Sequence, residues 1–362
     1  MSGTFFLHIN KSRINLEKVI FIYLIDFIGI YLFIGIFLNV DWTRCPSYTC
    51  SWRDYPDTIM EQKQINEPKP QFSGHQTFPL RQLWLKKVYE KIIEFPEKTA
   101  PKSLFTNANS IITFGVGKNM VQSINHWSLA TDFVYEYKNN YRPTEIAEIL
   151  FGENGLDEYQ ESPATAWLIH WKLAGEAKKT TTWSWLFNQT TNPILDKELL
   201  LKNLKLYAEK LDYRIAITTL KKDLDCCLRS YTKGDGKESP EEISESVLSE
   251  INILSQIDRG KFEFIRGEKP NLPNGIFYYA LLKFWEKPEY AQQNSMSFNN
   301  IVHADNSPGR VFKLDELSVA DRLSQIEDQT NKKLIWTDSQ GIRSVSRVGD
   351  INPMDILRLA YE

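Results

Sequence analysis

The sequence predicts a mainly α-helical fold with small β hairpins, organised as tandem winged helix-turn-helix-like units. Three observations predict it. Apolar residues recur at helical spacing through most of the chain after residue 72. Gly and Pro interrupt that periodicity at short intervals, so the helices are brief and separated by turns. Three stretches share one order, a short helix, a turn and a longer helix, and the last two add a candidate strand pair.

Residues 71–79 (QFSGHQTFP) form a turn-rich lead-in. A helix is expected over 80–95, where Leu83, Trp84, Leu85, Val88, Tyr89 and Ile92 share a face, and Pro96 and Pro101 close it. A short helix over 107–114 meets Gly115-Val116-Gly117, and a longer one follows over 118–133, with Met120, Val121, Ile124, Trp127 and Leu129 as its apolar side. Helices are expected over 143–150, opened by Pro143, and over 162–174, capped by Ser162. Asp196 caps a helix to about residue 210, and 218–231 (TTLKKDLDCCLRSY) is the next long one. Residues 232–240 are a polar, Gly-containing linker. Strands are expected at 254–257 and 261–266, and a helix over 273–285. A short helix over 297–303, a longer one over 317–329, a hairpin from 334–336 and 342–348, and a closing helix over 353–361 complete the chain. The expected domains are 72–190, 191–290 and 291–362, after a linker at 60–71.

Residues 1–59 do not match this plan. Residues 19–40 (VIFIYLIDFIGIYLFIGIFLNV) are long and apolar enough for a transmembrane helix. Asp26 interrupts the stretch, at about 2.5–3.5 kcal/mol if it sits mid-bilayer. If the segment is expressed, the protein is a membrane-anchored regulator. The alternative is a start at Met60, with 1–59 as upstream sequence and the protein in the cytoplasm.

Charged residues are 25% of the chain and hydrophobic residues 42%, an ordinary globular balance. The net charge is −3, so any basic surface is local rather than global. Charge is segregated: 81–142 holds nine Lys/Arg against five Asp/Glu, and 197–237 ten against six, whereas 143–196 holds three against eight. Of the four cysteines, Cys226 and Cys227 are adjacent in a helical stretch, their side chains about 100° apart. Cys45 and Cys50 have no second pair at zinc spacing, so no metal and no cofactor are expected. Glu153, Asp157, Glu158 and Glu161 lack the ligand spacing of a calcium loop and read as a solvated loop.

Gly115-Val116-Gly117-Lys118 invites comparison with a phosphate-binding loop. The Walker pattern needs a first glycine where Ile112 stands and a hydroxyl where Asn119 stands, so the two residues with direct jobs are missing. As a helix-turn-helix, the same letters make a three-residue turn ahead of a reading helix. Lys118, Asn119, Gln122 and Asn125 are its polar edge; Asn and Gln pair with adenine, and Lys reaches guanine or phosphate. Lys221 and Lys222 suit phosphate contact on a second helix, although Asp223 and Asp225 beside them would repel a backbone. His75, in its Gly- and Pro-flanked turn, reads as a structural hydrogen-bonder, and His170 as a half-buried core residue. No catalytic constellation emerges.

Five motifs in order, FSGHQTFPLRQLWLKK (72–87), FGVGKNMVQSINHW (114–127), SPATAWLIHWKLA (162–174), TLKKDLDCCLRSY (219–231) and SPGRVFKLDELS (307–318), resemble the bacterial family catalogued as domain of unknown function 4007. The resemblance runs from Phe72 to the C-terminus and brings no catalytic residues with it. It implies a bacterial cytoplasmic protein, a companion of sulfur-transfer or phosphoadenylylsulfate-reductase-like enzymes in DNA-modification and phage-defence islands. The expected function is therefore a non-enzymatic DNA-binding or regulatory accessory protein, with double-stranded DNA and a modification enzyme as partners. The alternative is a protein-interaction scaffold that docks that enzyme.

Overall fold

The computed structural model describes residues 22–26, 29–33, 69–232, 246–339 and 341–362. The chain divides into two compact units, 1–65 and 66–362.

In the first unit the described residues are two short antiparallel strands, β1 (Ile22–Asp26) and β2 (Gly29–Phe33), paired from Ile22↔Phe33 to Asp26↔Gly29. They lie inside the segment read as a membrane-spanning helix over 19–40, and they correct that reading; the rest of the segment lies outside the described residues. The physical reason is that Ile, Tyr, Leu and Phe suit strands as readily as apolar helices, so hydropathy registers apolarity without choosing between them. Among the described residues, no helix is long and apolar enough to cross a membrane.

The second unit opens with α1 (Trp84–Ile93), whose Leu85, Val88 and Ile92 are buried at three- and four-residue spacing. A two-residue strand, β3 (Ala100–Pro101), precedes α2 (Ser103–Thr106), α3 (Ser110–Phe114) and α4 (Lys118–Ala130). The hairpin β4 (Val134–Tyr137) and β5 (Asn140–Pro143) follows. The first segment thus has a strand pair that its sequence was not expected to hold. Lys138 and Asn139 both adopt positive φ, 46° and 63°, which makes the tight primed turn that matches strand twist. Pro143 ends β5 rather than opening a helix; Thr144 caps α5 (Glu145–Phe151), its hydroxyl accepting from the Ala147 amide.

The chain then turns inward. α6 (Pro163–Trp171) is capped by Ser162 and buried along its whole length from Ala164. A helix apolar on all sides belongs at the centre of a protein. It passes into a five-residue π-helical turn, Lys172–Glu176, short of the α-helix to residue 174 that periodicity predicts. α7 (Thr181–Gln189) leads to β6 (Ile194–Asp196), α8 (Lys197–Lys210) and α9 (Ile217–Tyr231). Asp196 caps α8, accepting from the amides of Glu198 and Leu199 at 3.0 Å each. The hairpin β7 (Leu254–Asp258) and β8 (Lys261–Phe264) closes this segment.

The second central helix, α10 (Asn274–Trp285), is buried on nearly every side and packs on α6. Beyond it come β9 (Ser295–Ser297), α11 (Phe298–His303), α12 (Pro308–Val311), α13 (Glu316–Ser324) and α14 (Ile326–Gln329). The single helix expected over 317–329 is therefore two, broken at Gln325. The hairpin β10 (Leu334–Ser339) and β11 (Ile342–Arg347) and the helix α15 (Pro353–Arg358) end the chain.

The three sheets of this unit share one topology. Each has a leading strand before its helices and a hairpin after them, and the leading strand pairs with the hairpin's second strand: β3-β5-β4, β6-β8-β7 and, from the other edge, β10-β11-β9. One core joins the three segments. Trp127, Trp167, Trp171, Trp183 and Trp285 are among its fully buried side chains, each worth about 3–5 kcal/mol against truncation to alanine.

Candidate nucleic-acid interface

The short helix α3 ends where Gly115 takes the left-handed conformation, φ 64°, that a non-glycine residue adopts only with strain. Gly117 stands at the N-cap of α4 in extended conformation. Added Cβ atoms at Gly115 and Gly117 would meet nothing within 4 Å, so the turn faces open space. Lys87 donates to the Phe114 carbonyl at 3.1 Å and satisfies the C-terminal end of α3.

α4 is held from behind. Val121, Ile124 and Trp127 are buried, on the order of 2 kcal/mol each from apolar area alone. The Trp127 indole donates to the Phe78 carbonyl at 2.9 Å, which ties the helix to the lead-in at 72–79. His126 is buried on the same side. Burial, reinforced by nearby His75 and Lys179, pushes its pKa down to about 3, so it is neutral. Gly74 is required here because a Cβ would lie 2.3 Å from His126 Nδ1.

The front of α4 carries the polar edge. Lys118, Asn119 and Gln122 are exposed at successive turns, and no side chain caps the helix, so its first amides point out beside them. A bare helix N-terminus with a lysine is a favourable seat for a phosphate. Asn125 is set differently: it is half-buried, and its Oδ1 is enclosed without a hydrogen-bond partner. The β4–β5 turn stands after α4 in the chain, with Lys138 and Asn139 exposed at its tip. Sequence reading missed this tip; the alternation in Val134-Tyr135-Glu136-Tyr137 before Lys138-Asn139 was the available signal. Arg142 lies 4.1 Å over the Tyr137 ring and donates from Nε to the Thr99 hydroxyl at 2.7 Å, which stiffens the hairpin.

Lys221 and Lys222 are exposed on α9, a separate element from α4. The carboxylates beside them have partners within the fold. Asp223 turns inward, 2.7 Å from His75 Nε2, and accepts from the Thr182 hydroxyl on its other oxygen. Asp225 pairs with Lys197 at 2.7 Å. The Thr77 amide donates to His75 Nδ1 at 3.0 Å, which leaves Nε2 as the donor to Asp223. His75 is thus a structural hydrogen-bonder between the lead-in and α9.

Two other expectations change. His170 is fully rather than half buried, between the Tyr231 hydroxyl at 2.8 Å and the Val311 carbonyl at 3.0 Å, and burial pushes its pKa down to about 3. Asp157 is no solvated loop residue: it is buried and accepts from the Glu161 and Ser162 amides and the Thr165 hydroxyl. Both cases follow from the tertiary partners, which are distant in sequence or hidden in local backbone geometry. Among the described residues, no group of three His, Cys, Asp or Glu side chains is arranged to hold a metal ion.

The fold defines a mainly helical protein with small antiparallel three-stranded sheets that recur three times in the second unit. The model of the family described as protein of unknown function (DUF4007) matches residues 72–361, and the chain belongs to that family. Two solved structures are similar to it, the SspB crystal structure and the magnesium ion-bound SspB crystal structure. Each is 24% identical, with a TM-score of 0.69, over 80% of this chain and 86% of the other. No curated protein matches the chain.

Proposed function

We propose that this protein is a non-enzymatic, DNA-binding accessory of a bacterial DNA-modification or phage-defence system, built from three winged helix-turn-helix-like units. The winged-helix reading rests on the repeated order of strand, helices and hairpin, with the leading strand on the hairpin's second strand. The units correspond to the domains 72–190, 191–290 and 291–362, with α7 and α10 serving as the helices that lead into the second and third.

One observation carries the DNA reading: α4 presents Lys118, Asn119 and Gln122 together beside an uncapped, open N-terminus. Lys118 and the first amides hold a phosphate, and Asn119 and Gln122 face base edges. Asn125 supports the helix from the rim of the contact, and Lys221 and Lys222 on α9 add phosphate contacts. A duplex partner puts the protein in the cytoplasm. The test is fluorescence anisotropy of the full chain with a labelled duplex at low salt. Binding that weakens as salt rises, and weakens further in Lys118→Ala with Asn119→Ala, is expected. No binding at low salt ends the proposal.

A second reading has its own observation. α13, the counterpart of α4 in the last segment, exposes Leu317 at 77% together with acidic residues, a surface suited to a protein rather than to a phosphate backbone. On this reading the last segment docks a modification enzyme. Nuclease-insensitive co-purification lost in Leu317→Asp supports it, and co-purification that nuclease abolishes refutes it.

A further inference from the structure

The SPGRVFKLDELS motif lies away from α4 and builds a cavity of about 390 Å³ between the end of α7, β8 and α12, within the size range of small-ligand sites. Its floor is Lys313. Lys313 takes a left-handed backbone conformation, φ 56°, immediately after α12, and its side chain is buried. Its ammonium lies 4.2 Å over the Phe264 ring and donates to the Phe187 carbonyl at 2.6 Å. An ammonium has three N–H donors, and one protein oxygen accepts from this one.

Charges of both signs line the cavity, Arg266 and Arg310 with Asp315 and Glu316, and the two that act on Lys313 are positive. Arg266 and Arg310 line the same cavity, and both repel Lys313. Arg266 uses Nη2 on the Thr191 carbonyl at 3.0 Å. Arg310 uses Nε on the Asn188 carbonyl and Nη1 on the His303 carbonyl, each at 2.6 Å, and Nη1 lies 3.3 Å from Asp305. The carboxylates at the rim are engaged elsewhere. Asp315 caps α13 through the Ser318 amide at 2.8 Å and faces Lys269, and Glu316 meets His303 at 3.1 Å. Among the described residues, no carboxylate is paired with Lys313.

A buried cation without a counter-charge is costly, and two arginines beside it raise the cost. An oxyanion in the cavity would accept from the free donors of Lys313, Arg266 and Arg310 and neutralise them together. The geometry points to a binding site for a small phosphate-class oxyanion, held by Lys313, Arg266 and Arg310. Its source is either free phosphate or the phosphate group of a nucleotide. Burial and the two arginines hold the Lys313 pKa well below the ordinary lysine value, and an anion bound beside it would raise it. The site is independent of the duplex contact proposed for α4.

The test is calorimetric titration of the full chain with inorganic phosphate and, separately, adenosine monophosphate, in low-chloride buffer. Saturable one-site binding of phosphate, with a raised Tm, is expected. Lys313→Met should abolish it, and Arg266→Gln, at an exposed residue that tolerates change, should weaken it about tenfold or more. Lys202→Ala, at an exposed lysine of α8, should leave it unchanged, which separates this site from general surface charge. Tighter binding of the monophosphate assigns the source to a nucleotide; equal or tighter binding of phosphate assigns it to the free ion. Absence of saturable binding by either probe, or binding that Arg266→Gln leaves intact, overturns the proposal.

Discussion

α4, α9 and α13 hold corresponding positions in three segments of the same topology, each the last long helix before its hairpin, yet they present different chemistry. α4 and α9 have no capping side chain and no acidic residue in the first turn, and they expose Lys118, and Lys221 with Lys222. α13 is capped by Asp315 and begins with Glu316, and its Arg322 is spent on the Leu272 and Lys269 carbonyls and the Asn274 amide oxygen. Each helix also turns a polar residue inward: His126 on α4, Asp223 on α9 and Arg322 on α13. Topology sets where a helix end lies, whereas the cap and first-turn charges set which partner it attracts.

The largest effect expected of a single substitution at neutral pH tests the inward residues. Asp223→Ala strands buried His75 and Thr182, and we expect a loss of about 3–5 kcal/mol in denaturant unfolding. A loss below 1 kcal/mol (roughly the worth of an ordinary hydrogen bond) would show that this pairing does not anchor α9.

Acid should come next. His126 and His170 stay neutral in the folded protein down to about pH 3, whereas unfolded histidine takes up a proton near 6.5. Their stabilising contribution is complete above pH 6.5 and is lost as pH falls toward 3, by about 1.4 kcal/mol per pH unit for each histidine. Chemical denaturation across that window measures the slope, and His126→Gln should remove its share.

A smaller effect separates α4 from α13 at the surface. Lys118→Ala with Asn119→Ala should cost about 1–3 kcal/mol of duplex binding and lower the salt slope by about one. Glu316→Ala, its counterpart on α13, should change duplex affinity less than about twofold, around 0.4 kcal/mol. Equal effects at the two helices would dissolve the distinction. The smallest stability effect is Asp315→Ala, which should cost about 1 kcal/mol through the lost cap, read as a lower denaturation midpoint.

Helix positions were legible because they depend on neighbours in the chain. Ser162 and Asp196 announce their helices, and the apolar stripe of α4 shows which side of it is buried. The hairpin 134–143 was not foreseen, because Tyr135, Glu136 and Lys138 dilute the apolar alternation and a short wing needs little of it. Lys118, Asn119 and Gln122 could be named from sequence as a polar helix edge; the half-burial of Asn125 could not, since it depends on what α4 packs against. Asp223 illustrates the same limit. Beside Lys221 and Lys222 it looks like a surface charge, and only a partner 148 residues away turns it into a buried anchor.

The sequence by itself determined the caps, the glycine turn at 115–117, the mainly helical class and the family, all written in local spacing or ordered motifs. Only the tertiary structure decided which charges face water and which face one another. Lys313 lies six residues from Ser307 in a motif readable from sequence, but its isolation among Arg266, Arg310 and Phe264 arises from segments that meet only in the folded chain. Local backbone preference is encoded over a few residues, whereas charge pairing depends on distance through space, and folding sets that distance.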